Sequence, residues 1–458
     1  MSRWIEQWDP DDREFWESQG RTIARRNLVC SIFVEFMGFA VWLIWSVLAI
    51  KLPEAGFDLS KGQLFTLVAV PSLVGATMRF PYTVAVPLFG GRNWTVISGA
   101  LLLIPTGLIV VTVTDPTTPY GMLLLVAATA GLGGGNFASS MSHISFFFPK
   151  EKKGLALGLN AAGGNIGVGF VQLVIPLAVG LEVVNRSDAS AVHLENAGLL
   201  FIPLIVAASL CAWLFMDNLR VSRSKLRDLA PILRRTHTWV MSWLYIGTFG
   251  SFIGYSAALP LLIRTEFATV NPAHFAFIGP LVGSLVRPVG GWLADRLGGA
   301  RVSFWSFLAM IGAVLGVVYC LSHKAQPFAF AGFLTMFLVL FVTTGIGNGS
   351  TFRMIPLIFR SQHLRLAAGR GLVSRQGAEA AGAREAAAVL GFTSAVGAYG
   401  GFVVPQTYGI SIANTGTVLT ALAAFVVFYL SCVALTWWFY LRRSFALGRF
   451  PSLADANV

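Results

Sequence analysis

The sequence predicts an all-α membrane protein of twelve helices, arranged as two pseudo-symmetric bundles of six. Three observations carry that reading. Of 458 residues, 55% are hydrophobic and only 12% charged, where soluble domains carry about a quarter charged residues; the mean hydropathy is +0.70. Apolar runs able to cross a hydrocarbon core, about 20 residues each, recur twelve times. Polar features of the first six runs then reappear in the last six. Secreted disulfide scaffolds, coiled coils and disordered tails are excluded. The net charge of +12 would suggest nucleic acid in a soluble chain, but in a membrane protein it reports cytoplasmic loops, so no nucleic-acid partner is expected. Cys30, Cys211, Cys320 and Cys432 lie in apolar runs without paired spacing; no disulfide, metal site or cofactor is expected.

Taken in order, residues 1–26 place Trp4, Trp8 and Trp16 among mixed charges and lack the apolar core of a signal peptide. They read as a cytoplasmic amphipathic segment. Spans follow at about 27–50, 62–89, 93–113, 119–148, 154–181 and 197–216, which make the first bundle (27–216). A basic inter-bundle loop, 217–237, leads to spans at about 238–263, 273–293, 301–321, 327–359, 386–411 and 415–441, the second bundle (238–441). The stretch 360–384 reads as a flexible basic linker, and 442–458 as a cytoplasmic tail. A monomer is expected.

Sidedness comes from the Lys and Arg distribution, since short cytoplasmic loops hold the excess. The side with both termini holds 25 of the 33 cations; the other holds Lys51, Lys61, Arg186, Arg264 and Lys324. Both termini are therefore expected in the cytoplasm, with the protein in the inner membrane. Three arginines remain inside spans: Arg79, Arg287 and Arg353. Among 21 acids, only Glu35 sits well inside one.

Arg79 is followed eleven and twelve positions later by Gly90 and Gly91, and Arg287 at the same spacing by Gly298 and Gly299. Gly135-Asn136 likewise matches Gly347-Asn348, each pair followed by small hydroxyl residues and a Met. Such a duplicated six-helix unit is a mark of secondary transporters, whose substrate binds near the midplane at the repeat interface. A charge inside a bilayer costs roughly 2.5–3.5 kcal/mol even on lenient scales, so it faces a cavity or a partner. Two readings of the arginine pair stand: contacts with backbone carbonyls or helix ends, or two guanidinium forks on one flat oxyanion, which their planar, permanently charged donors suit. Arg353 lies nearer the cytoplasmic end of its span, where snorkelling or phosphate contact is expected.

Glycine-rich stretches fall inside apolar spans, at 131–136, 163–169, 345–349 and 397–401. Small residues let helices approach closely and let them slide; Gly163, Gly164 and Gly397 are candidate conformational positions. No alternating strand and helix surrounds these runs, so they are not a nucleotide fingerprint.

The stretch from Gly290 to Arg301, containing Asp295 and Arg296, resembles the loop motif of the major facilitator superfamily, which implies that family's fold and a conformational lock at Asp295. The first-half counterpart, Gly90-Gly91-Arg92, is degenerate. Two longer stretches, from Gly133 to Lys150 with 158–165, and Gly345 to Phe352, resemble the signatures of NarK-type nitrate/nitrite porters; the resemblance covers nearly the whole chain. It implies that Arg79 (in Met78-Arg79-Phe80-Pro81-Tyr82) and Arg287 (in Val286-Arg287-Pro288) bind nitrate or nitrite. It also implies hydrogen bonds from Asn165 and Tyr245. Aromatic walls fall on Phe137, Phe249 and Phe341, which ordinary packing would explain equally well.

Two positions depart from the family pattern. His143 stands where Asn is expected; it reads as structural or as a pH-responsive group. Glu35 stands where exchangers carry an apolar residue; it is either a carboxylate paired with a cation such as Arg79 or hydrogen-bonded between helices, or a proton carrier. The favoured expectation is nitrate/proton symport with Glu35 as carrier, because an ionised Glu35 would offset an arginine in the empty carrier and burial raises a carboxyl pKa. Nitrate/nitrite exchange without protons is the alternative, followed by a carrier for another small anion and, more remotely, a channel. A membrane redox enzyme would need intramembrane His pairs for haem, and five of the six His lie in or near loops; no enzymatic activity is expected.

Overall fold

Local chemistry marks where three of the helices begin. Ser60 caps one helix reciprocally: its hydroxyl accepts from Gln63 N–H while Gln63 Oε1 accepts from Ser60 N–H at 2.9 Å. Gly90 and Gly298, the matched glycines of the two halves, both adopt φ 88° before a new helix, a left-handed backbone that glycine adopts at no steric cost. The duplication seen in sequence is thus repeated in backbone conformation.

The computed structural model describes residues 3–181, 192–220, 230–370, 375–443 and 452–454. Arg186, the centre of the inter-bundle loop (221–229) and most of the 442–458 tail lie outside the described residues. Among the described residues, twelve helical spans are long and apolar enough to cross a membrane: α1 (Arg13–Lys51), α2 (Lys61–Phe89), α3 (Gly91–Thr112), α4 (Tyr120–Ser145), α5 (Lys150–Ala178), α6 (Asn196–Phe215), α7 (Thr236–Glu266), α8 (Pro272–Leu297), α9 (Gly299–Ser322), α10 (Ala329–Ala367), α11 (Arg375–Thr415) and α12 (Leu419–Leu441). The chain is a multi-pass membrane protein of the expected all-α class. Two strands, β1 (Trp4–Ile5) and β2 (Asn218–Leu219), pair in parallel.

The chain divides into two compact units. The first comprises Met1–Ser224, Ile253–Ser284 and Gly401–Val418; the second comprises Lys225–Phe252, Leu285–Gly400 and Leu419–Val458. In the first unit, glycine brings backbones into contact: a Cβ on Gly38 would meet the Gly133 carbonyl, and one on Gly167 would meet the Phe36 carbonyl. This is the small-residue packing expected where lipid provides no hydrophobic drive between helices. Five residues of α4, Gly131–Gly135, tighten into a 3₁₀ turn. At one end of this unit the N-terminal segment forms a cap. Trp8 and Trp16 are buried with Phe147, Phe148 and Leu219, Trp8 Nε1 donates to the Phe146 carbonyl at 3.0 Å, and Asp11 pairs with Lys150 at 3.1 Å. The Lys150 N–H holds the Asp11 carboxyl below its ordinary value.

In the second unit, a π turn over Ile246–Gly250 interrupts α7 directly after Tyr245, an irregularity common at functional sites. The stretch 360–384, expected as a flexible linker, is helical on both sides of residues 371–374: one helix runs Ala329–Arg370 and the next starts at Arg375. Ion pairs hold it. Arg235 grips Glu385 with two bonds (2.7 and 3.2 Å), His363 meets the same carboxylate at 2.5 Å, and Arg360 pairs with Glu379 at 2.8 Å.

Candidate functional site

In the first unit Arg79 is fully buried. Its guanidinium Nε donates to the Gly134 carbonyl at 3.0 Å, an acceptor that the 3₁₀ turn of α4 presents. The cation lies 4.6 Å from the Phe137 ring centroid and 5.4 Å from that of Trp42, so aromatic faces supply part of the stabilisation that water would give. Trp42 is itself fixed, donating to the Pro71 carbonyl at 2.8 Å and resting against Gly75 and Gly134. Phe137, expected as part of an aromatic wall around the anion, thus lies beside Arg79, while Trp42, which looks in the sequence like one more aromatic in an apolar run, was not expected there.

In the second unit Arg287 is 5% exposed. Its Nη2 donates to the Tyr245 hydroxyl at 3.3 Å, and its charge lies 5.6 Å from the Phe352 ring. Tyr245 stacks on Phe249 (5.5 Å, 21° between planes). A side chain on Gly397 would strike the Tyr245 ring, which gives that glycine a steric task. The structure therefore brings together Arg287, Tyr245, Phe249 and Gly397. Phe341 is further off: it meets Phe252 edge-on at 6.1 Å, and Phe252 stacks on Phe249 at 6.4 Å. Phe352 was missed, although it ends the quoted stretch 345–352.

Asn165 is buried on α5, and its Oδ1 has no hydrogen-bond partner. Gly163 sits against Ile32, and Gly164 against the carboxylate of Glu35. Asp295 and Arg296 lie at the end of α8. Asp295 pairs with Arg353 at 2.5 Å, and Arg296 stacks over Trp292 at 4.3 Å. Arg353, expected to snorkel or contact phosphate, thus has a carboxylate partner within its own unit.

Glu35 is 1% exposed. Its Oε2 accepts from the Ser140 hydroxyl and from Asn160 Nδ2 at 2.6 Å, while Asn160 Nδ2 also reaches Ser140 Oγ at 2.9 Å. Three helices, α1, α4 and α5, each contribute one member. An isolated carboxylate in an apolar interior is prohibitively costly, and hydrogen bonds of this kind are what permit one. Of the two structural options left open for Glu35, hydrogen bonding between helices is observed here. Ser140 and Asn160 were not singled out in sequence, though both lie in the quoted stretches. One turn beyond Ser140 on α4, His143 is fully buried, and neither ring nitrogen has a hydrogen-bond partner. It rests edge-on to Phe147 at 4.9 Å, in space that a side chain on Gly91 would fill.

Comparison with known proteins places these features in a family. The Major Facilitator Superfamily profile matches residues 28–360. The chain is 42% identical to the nitrate/nitrite transporter NarU of Escherichia coli (strain K12) over 451 residues, 96% of this chain and 97% of the relative. It is 35% identical to the probable nitrate/nitrite antiporter NarK2 of Thermus thermophilus over 457 residues, 96% and 97% of the two chains. Among solved structures, a D-xylose–proton symporter matches with a TM-score of 0.64 at 13% identity, over 91% of this chain and 97% of that one. A bacterial homologue of the human lysosomal transporter Spinster matches with a TM-score of 0.63 at 15% identity, over 90% and 95%. The relatives are named as transporters, not enzymes, and at these structural identities the likeness concerns the fold alone. The chain belongs to the major facilitator superfamily and, within it, to the NarK-type nitrate/nitrite transporters.

Proposed function

We propose that the protein carries nitrate, and nitrite as a related substrate, across the inner membrane by alternating access, in symport with protons and with both termini in the cytoplasm. Arg79 and Arg287 hold the anion. Each is a permanently charged fork on an aromatic face, and nitrate is a flat, delocalised oxyanion whose oxygens accept parallel N–H bonds. Tyr245, Asn165 and the faces of Phe137 and Phe249 complete its surroundings; Phe341 supports that wall from behind. Gly163, Gly164 and Gly397 permit helices to shift, and the Asp295–Arg353 pair, with Arg296 beside it, stabilises one conformation. The protein acts as a monomer.

The observation that carries the proton reading is the burial of Glu35 in a polar set of three helices. When ionised, Glu35 offsets positive charge in the empty carrier and permits its return; when protonated, it leaves the arginines to the anion. Exchange without protons is the second reading, and a 35% identical relative bearing the name of antiporter favours it. Glu35→Gln in proteoliposomes separates them. Symport predicts that the variant loses uptake driven by an inward proton gradient while still binding nitrate. Wild-type proton-driven uptake in Glu35→Gln would refute the role of the carboxylate.

A further inference from the structure

We infer that Trp42 is a positioning residue of the anion site: it sets the plane in which Arg79 presents its fork, and through Arg79 the affinity for nitrate. The assignment rests on the reading of Arg79 as a ligand of the anion and names a residue that this reading leaves out. Arg79 Nε donates to the Gly134 carbonyl at 3.0 Å. One hydrogen bond fixes a point on a guanidinium and leaves rotation about that bond open. Aromatic faces close it. The charge lies 4.6 Å from the Phe137 ring centroid and 5.4 Å from that of Trp42, both within the reach of a cation–π contact. Side-chain freedom that must be removed during binding weakens binding, so a fork whose plane is set beforehand holds a flat anion more tightly.

Trp42 is built to stay where it is. It is 1% exposed, and its Nε1 donates to the Pro71 carbonyl of α2 at 2.8 Å. A side chain on Gly75 of α2 or on Gly134 of α4 would strike the indole, so glycines on two helices keep its space clear. Gly134 is also the residue whose carbonyl bonds Arg79. The indole therefore rests against both the cation and the group that holds it. Phe39, on the same helix as Trp42, braces the set, meeting Trp42 edge-on at 5.5 Å and Phe137 edge-on at 6.2 Å. Close helix packing by itself does not call for an indole. Gly38 against Gly133, and Gly167 against Phe36, bring backbones of this unit together by leaving side chains out. Around Trp42 the glycines instead make room for a large side chain beside a buried charge.

A double-mutant cycle tests the assignment, because it separates a residue acting through Arg79 from one that only fills space. Nitrate Kd and melting temperature are measured on purified wild type, Trp42→Leu, Trp42→Phe, Arg79→Lys and the two combinations of a Trp42 change with Arg79→Lys. Trp42→Leu is expected to raise nitrate Kd roughly tenfold, within the range of a lost cation–π contact. Trp42→Phe keeps an aromatic face and loses the bond to Pro71, so it should recover part of that affinity, with a rise of roughly fourfold. In the Arg79→Lys background neither change should raise Kd more than twofold further, since an ammonium has no plane to set. An equal rise in both backgrounds would mark the indole as packing only and overturn the assignment. Wild-type affinity in Trp42→Leu, with Arg79→Lys weakened, would also overturn it and leave the arginine site standing. If the melting temperature shows Trp42→Leu to be unfolded, the Trp42→Phe arm decides by the same two criteria. Wild-type affinity in Arg79→Lys would remove the reading on which the assignment rests.

Discussion

Replacing Arg79 with lysine keeps the charge and removes the fork. The structure tells which contacts the change spares. An ammonium can remain above Phe137 and Trp42, now 4.6 and 5.4 Å from the guanidinium, so the aromatic term distinguishes the two side chains little. The Gly134 carbonyl, bonded to Nε at 3.0 Å, is an acceptor that a single ammonium cannot serve while also presenting two parallel donors to an anion. One charge-assisted hydrogen bond is therefore lost at the substrate, worth about 1.5–3 kcal/mol. At 1.4 kcal/mol per tenfold, nitrate Kd should rise roughly 10- to 150-fold. Arg287→Lys should fall in the same range, because Arg287 also divides its donors, one going to Tyr245. The assay is calorimetric titration of purified protein with nitrate, with formate as a smaller flat anion for comparison. A Kd within twofold of wild type in both variants would refute the assignment of the arginines to the anion.

Other outcomes follow from the same geometry. Tyr245→Phe removes the acceptor of Arg287 Nη2 (3.3 Å) but keeps the stack on Phe249; the loss of one hydrogen bond, about 0.5–1.5 kcal/mol, should raise nitrate Kd by roughly two- to tenfold, read by the same titration. At the N-terminal cap, the bond from Lys150 N–H depresses the Asp11 carboxyl below 3.8. Because the native value is the lower one, this stabilisation is present above pH 3.8 and is lost as pH falls through the depressed value. Asp11→Asn should reproduce that loss at neutral pH, by at most about 1 kcal/mol for so exposed a pair, seen as faster hydrogen exchange over residues 4–20. Exchange equal to wild type would show that the tryptophans alone hold the cap.

The twelve spans were legible because bilayer thickness imposes a length on apolar runs, and that constraint is local in sequence. Helix ends were not. The first helix was placed at 27–50 yet begins at Arg13, because Arg21, Arg25 and Arg26 end the apolar run without ending the helix. The stretch 360–384 was misread for a related reason. Its charges suggested a loop, while Ala-rich sequence at 378–388 and the Arg375–Glu379 spacing were helix signals; charge excludes lipid, not helix. Arg79 and Arg287 were legible since a charge in an apolar span is anomalous by itself. Their partners were less so. Trp42 is one apolar aromatic among many, and Ser140 and Asn160 are 105 and 125 residues from the Glu35 they bind, a pairing no hydropathy pattern encodes. His143 was noticed as a departure, but its burial without hydrogen bonds is visible only in three dimensions.

Net flux into vesicles containing neither nitrate nor nitrite tests most directly whether nitrate moves with protons. Purified protein in liposomes with an entrapped pH dye is given external nitrate, and both nitrate entry and internal pH are followed. Symport predicts nitrate entry without internal nitrite, accompanied by acidification that Glu35→Gln abolishes. Entry only when nitrite is loaded inside, with no change in internal pH, would contradict the account and establish exchange instead.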